Sequence, residues 1–134
     1  MDIKCFLIEK TGEYTPFKDG ISRPVYRRVD TGETGTSHYF GTGAIIDITD
    51  QGFQTGPDGK SYVCVCPGNN WWHIDSQASN CTKPDDKEHR CWCRHGEAPD
   101  FTVDKVGNTC SAGAGSIAIG SYHGFLRNGY LTDC

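Results

Sequence analysis

The stretch Ser61 to Asp75, SYVCVCPGNNWWHID, decides the fold. A strand sends successive side chains to opposite faces. Tyr62, Cys64 and Cys66 therefore share one face, and Val63 and Val65 the other. Pro67-Gly68-Asn69-Asn70 carries turn chemistry. Trp71–Asp75 then returns as a partner strand, so Tyr62–Asp75 reads as a β-hairpin. Trp71 and Trp72 point to opposite faces, and at least one of so large a pair must pack on a core.

Before this hairpin, Gly56-Pro57-Asp58-Gly59 is a strong turn signal, and Ala44–Ile48 is a short apolar run suited to a buried strand. Thr31–Gly43 is polar, has four glycines, and reads as a mobile loop holding a solvated His38. Pro24–Asp30 alternates Val25, Arg27 and Val29 against Tyr26 and Arg28, as a strand does. Thr11–Gly20 reads as turns. Lys4–Glu9 reads as a first strand, with Cys5, Leu7 and Glu9 on one face and Phe6 and Ile8 on the other.

After the hairpin comes Asn80 to His95, NCTKPDDKEHRCWCRH. Thr82, Asp85, Asp86 and Glu88 resemble a helix start, and Pro84 suits a first turn. This predicts a short helix or turn over about 84–91, giving way to a strand near Arg90. Phe101–Val106 is a short strand candidate. Ser111–Ser116, SAGAGS, reads as a close-packed small-residue crossing, because no lysine follows at phosphate-loop spacing. Ile117–Gly120 is apolar, and Tyr122–Leu131 forms two strands around Asn128-Gly129, a favoured hairpin turn.

The 134-residue length argues for one domain, 1–134. Seventeen glycines imply many turns and little helix. The expected fold is mainly β: a compact, loop-rich antiparallel domain with short hairpins and at most one short helix, a small α+β arrangement being the alternative. A formal charge of −4 argues against binding nucleic acid. Arg23, Arg27 and Arg28 read as a solvated strand face. The first residues, MDIKCFLIEK, lack the apolar run of a signal peptide. No stretch approaches the ~20 apolar residues that span a bilayer. The expectation is a chain with no membrane partner, made in a reducing cytoplasm, where disulfides are rare.

Eight cysteines and five histidines raise three chemistries. The preferred one is zinc held by Cys81, His89, Cys91 and Cys110, three thiolates and an imidazole, with His123 as an alternative fourth ligand. A second zinc version uses the Cys-x-Cys pairs Cys64/Cys66 and Cys91/Cys93, but a flat strand holds such pairs less readily on one metal. Disulfides could instead join Cys64 or Cys66 to Cys91 or Cys93, with Cys5 and Cys134 near opposite ends. The third chemistry is a thiolate nucleophile, Cys91 or Cys110, with His95 or His123 as base and Asp104 or Asp75 as orienter. Plain buried thiols are the bland alternative.

The words ID-x-x-ASNCT (from Ile74), HRCW-x-RHG (from His89), VDK-x-G-x-TC-x-AGAGSI (from Val103) and HGFL-x-NG (from His123) occur in this order. In them the chain resembles a family of short proteins of tailed phages and prophages. The resemblance covers roughly Trp71 to Leu131. It implies Cys81, His89, Cys91, His95, Cys110 and His123 as the family-like set, with Cys66 and Cys93 as departures. Those departures make a Cys66–Cys93 bridge attractive and put the two-pair zinc site in doubt. The resemblance implies a phage origin, and the expectation built on it is a phage-encoded structural or accessory protein, a minor virion or decoration component. It would bind another phage protein or a host protein, with self-association open. It would be made in the host cytoplasm and carried in the virion. Two alternatives stand beside it. One is a host-directed protein that binds a host factor, or a small molecule in an aromatic pocket near Trp71, Trp72 and Tyr122. The other is a metal-dependent or cysteine hydrolase using Glu88, Glu97 or Asp104.

Overall fold

The structure is a computed structural model that describes residues 2–16, 18, 20–77, 81–83, 85–105 and 116–133. The strands are β1 (Asp2–Lys4), β2 (Phe6–Pro16), β3 (Ser22–Arg28), β4 (Thr34–Gly35), β5 (Ala44–Asp47), β6 (Tyr62–Cys66), β7 (Asn70–His73), β8 (Cys93–His95), β9 (Thr102–Asp104), β10 (Ile117–Ile119), β11 (Tyr122–Arg127) and β12 (Tyr130–Asp133). A four-residue helix, α1 (Ser37–Phe40), and a 3-10 turn at Thr49–Gln51 are the helical parts among the described residues. The expected mainly-β fold is what forms.

The strands make two sheets. One runs β4-β3-β2-β5-β6-β7; the other runs β1-β12-β11-β9-β8, with β10 also on β11. All described pairings are antiparallel except β2 with β5, where Leu7 stands against Ile45. Parallel neighbours need a long return connection, which here carries β3, β4 and α1. The segment 31–43, expected as a loop, thus contains a strand and a helix. Thr36 caps that helix by accepting the Tyr39 N–H at 3.2 Å.

The hairpin of the opening stretch sits where its alternation places it. Every residue of β6 is buried, and its two faces serve two cores. Tyr62, Cys64 and Cys66 join Cys5, Ile45, Trp72 and Ile74 against Phe101, Val103, Ile117, Tyr122, Leu126 and Leu131 of the other sheet. This inter-sheet layer is the sandwich core. Val63 and Val65 face the opposite way, onto Phe6, Ile8, Tyr26, Ala44, Ile46 and Ile48. That second core is lidded by Phe40 of α1 and by the Arg28 guanidinium, 4.0 Å from the Phe6 ring centre. The expected faces of the first strand also hold: Cys5 and Leu7 go to the inter-sheet core, Phe6 and Ile8 to the second.

Two readings change and a third resolves. Residues 11–16, expected as turns, continue β2 and pair with β3 across a register shift between Lys10 and Tyr14. The expected strand 90–95 shortens to Cys93–His95. The short helix or turn expected over 84–91 resolves to turns in its described residues. Asp86 does cap locally, accepting the Glu88 N–H at 3.0 Å and the His89 N–H at 3.3 Å. However, the Cys91 N–H, which a helix would need, goes instead to Ser76 O at 3.1 Å. That tertiary bond stops the turn from propagating. SAGAGS lies outside the described residues except for Ser116. No helix among the described residues is long and apolar enough to cross a membrane.

Candidate metal centre

The loop between the two sheets is tied down by residues that the sequence reading did not single out. Ser76 O takes the Cys91 N–H, and the Gln77 amide donates to Asp86 O at 2.7 Å and to His89 O at 3.1 Å. The Lys105 ammonium donates to Cys91 O at 2.8 Å. Arg90, between two candidate ligands, donates through Nε to Thr55 O at 3.0 Å. These bonds go mostly to carbonyls, so no residue-type pattern announces them; only the fold brings their partners together.

The loop so held gathers Cys81, His89 and Cys91, whose ligand atoms all lie within 4.8 Å of one another. Cys91 Sγ is 3.7 Å from His89 Nε2. A tetrahedral zinc with bonds of about 2.3 Å to sulfur and 2.0–2.1 Å to nitrogen would place these two atoms about 3.6 Å apart. Cys91 is fully buried, with Cys81 and Trp92 packed against it. The Lys83 N–H lies 3.3 Å from Cys81 Sγ and donates to it, which orients that sulfur. Two sulfurs and an imidazole nitrogen in this arrangement can hold a metal ion.

Three of the four expected ligands are therefore brought together. The fourth, Cys110, lies outside the described residues. His123, the alternative, sits on β11 with its Nε2 3.0 Å from Ser116 Oγ, outside this cluster.

The two Cys-x-Cys pairs do not form one site. Cys64 and Cys66 face the inter-sheet core, while Cys91 lies in the separate cluster of the loop. Alternation set the faces of Cys64 and Cys66 but not what would oppose them. No disulfide links any two of the six described cysteines, so the Cys66–Cys93 bridge and the other cross-strand pairings between described cysteines are absent. Cys134 lies outside the described residues. Cys5 and its neighbours behave as apolar core: hydrogen bonding to Cys5 and Cys66, then burial, push the Cys64 thiol well up.

The nucleophilic constellation is only partly assembled. His95 Nε2 lies 2.8 Å from Asp104 Oδ1, which is a base–orienter pair. Yet Cys91 is fully buried beside His89, and Asp75 is taken by Arg94. Cys93 stands opposite Asp104 on the neighbouring strand. Burial, then the Asp104 carboxylate, push its thiol up, so it is a poor thiolate. Of the residues around which an aromatic pocket would favour small-molecule binding, Trp72 and Tyr122 are buried in the core and Trp71 is exposed. An open groove lies nearby instead, lined by Phe53, Gln54, His73, Asp75 and Ser76.

Comparison of the chain with protein-family models, with curated proteins and with solved structures finds no match.

Proposed function

We propose that this chain is a zinc-stapled β-sandwich that serves a phage as a structural or accessory component, acting by binding another protein. The observation that carries the metal part is the 3.7 Å separation of Cys91 Sγ and His89 Nε2, close to the ~3.6 Å of two ligands on one tetrahedral zinc. Zinc suits a donor set of thiolates and imidazole. A metal held inside a loop without strand or helix would add its binding free energy to the folding of that loop. The full burial of Cys91 argues against its sulfur as a nucleophile toward an external substrate and supports a role within the loop. The phage part rests on the resemblance across Trp71–Leu131. A virion component or decoration, made in the host cytoplasm and bound to another phage protein, is the form we favour over a host-directed one.

The test is metal content by mass spectrometry on full-length protein purified without affinity-tag metals. One zinc per chain, lost in His89→Ala, is expected. A metal-free protein with unaltered stability overturns the zinc reading. For the phage role, peptides of this chain should appear in purified particles of a phage that encodes it. Their absence overturns the virion form and leaves a host protein as the partner.

A further inference from the structure

The two sulfurs of the candidate metal centre have a second chemistry open to them. Cys81 Sγ and Cys91 Sγ lie within 4.8 Å of each other. A disulfide needs them at about 2.05 Å, so rotation at the two Cβ atoms and a modest shift of the loop must close the gap. That shift stays within one loop. Between Cys81 and Cys91 the described residues carry no strand or helix; Asp86 N to Lys83 O and His89 N to Asp86 O are local turns, and the Gln77, Ser76 and Lys105 bonds hold its 86–91 side. The two thiols also differ in access. Cys81 is half-buried, whereas Cys91 is fully buried. Cys5, Cys64 and Cys66, by contrast, are sealed in the sandwich core.

We propose that Cys81 and Cys91 form a redox-convertible pair: a metal-binding dithiolate under reducing conditions and an intramolecular disulfide under oxidising ones. This deepens the zinc reading but requires only the paired sulfurs. The oxidant is a low-molecular-weight disulfide such as oxidised glutathione. The accessible Cys81 thiolate attacks one of its sulfurs; the small S–S bond breaks and one small thiolate leaves. The Cys91 thiolate then attacks the Cys81 sulfur of the mixed disulfide and expels the second small thiolate. Two protein thiolates are oxidised to one disulfide, and one small disulfide is reduced to two thiols, which take up two protons. A zinc ion held by the pair leaves with its charge, because His89 alone binds it weakly. The loop is thus closed in either state, by metal where thiols persist and by a covalent bond where they do not.

The experiment treats reduced full-length protein with oxidised glutathione and follows zinc release with a chromogenic chelator. Products are mapped by peptide mass after alkylation. Expected is the loss of two titratable thiols, a Cys81–Cys91 cross-link, release of bound zinc in step with it, and reversal by reductant. His89→Ala separates the two readings: it should lose zinc yet form the same cross-link. Starting protein without zinc that still forms the bridge would defeat the metal reading and the reduced, metal-binding half of this proposal, and support its disulfide half. Thiols that stay reduced, a persistent glutathione adduct on Cys81, or a bridge mapped to any other pair overturns the proposal. Cys81→Ser, with an unchanged circular dichroism spectrum, should take up neither glutathione nor a bridge.

Discussion

Arg94 Nε lies 3.1 Å from Asp75 Oδ1, with the two side chains only 6% and 4% exposed. The residues belong to different sheets: Arg94 is the middle of β8, and Asp75 lies just beyond β7. The same guanidinium binds both oxygens of Asp58, at 2.8 and 3.0 Å, and lies over the Tyr62 and Phe101 rings. The second oxygen of Asp75 accepts the Tyr62 N–H at 3.0 Å. One cation therefore ties the opening hairpin to the strand that follows the metal loop.

Removing that cation leaves Asp75 buried without a counter-charge. Arg94→Met is expected to cost about 3–5 kcal/mol, the usual price of breaking a buried pair from one side. Asp58→Asn should cost much less, because the Asp58 side chain is 46% exposed. Urea denaturation of the two variants checks this; equal losses would contradict the cross-sheet role.

Acid should weaken the fold through Asp58. Its hydrogen bonds from Arg94 hold its carboxyl at about 2, against an ordinary 3.8. A carboxyl depressed on folding contributes stability above its unfolded value and loses it as pH falls through the folded one. The urea midpoint should therefore drop between about pH 4 and pH 2, and drop less in Asp58→Asn. Asp75 has the opposite sign. Burial lifts its carboxyl despite the pull of Arg94, so its protonation opposes the acid loss, and Asp75→Asn should steepen it. Superimposable profiles for wild type and Asp58→Asn would refute the assignment.

Arg90 links the metal loop to the segment before β6. Its Nε bond to Thr55 O anchors residues 53–60, where the Phe53 ring rests 4.7 Å from the His73 ring. A hydrogen bond from a charged donor contributes about 1.5–3 kcal/mol, equivalent to roughly tenfold or more in a local opening equilibrium. Arg90→Ala should speed amide exchange in 53–60 by about that factor while leaving β6 unchanged. Hydrogen exchange read by mass spectrometry decides it, and unaltered exchange at Gly56 would exclude the link.

Gly124 permits the close approach of β11 and β12. A Cβ there would collide with the Thr132 carbonyl oxygen and the Tyr122 hydroxyl, which are hydrogen-bonded to each other. The carbonyl is backbone and cannot swing aside. Gly124→Ala should cost about 1–3 kcal/mol or more, seen as a lower thermal midpoint. A melting curve unchanged from wild type would mean that the two strands can part without loss.

What the chain determined by itself is local. Alternation in Tyr62–Cys66 set its two faces, and the Asn128-Gly129 turn set the last hairpin, with both residues at positive φ. The short spacing of Cys81, His89 and Cys91 made them candidate partners, because few residues separate them. Residues 11–16 misled, since Gly12 and the polar residues around it carry the composition of a turn while their pairing with β3 is not written locally. Tertiary structure alone decided the parallel contact of β2 with β5, the meeting of Arg94 with Asp58 and Asp75, and the partners of Cys64 and Cys66. It also decided that a capped turn at Asp86 ends without becoming a helix, because the Cys91 amide bonds to Ser76. These outcomes depend on groups far apart in sequence, and the free energy that selects them exists only once the two sheets have packed.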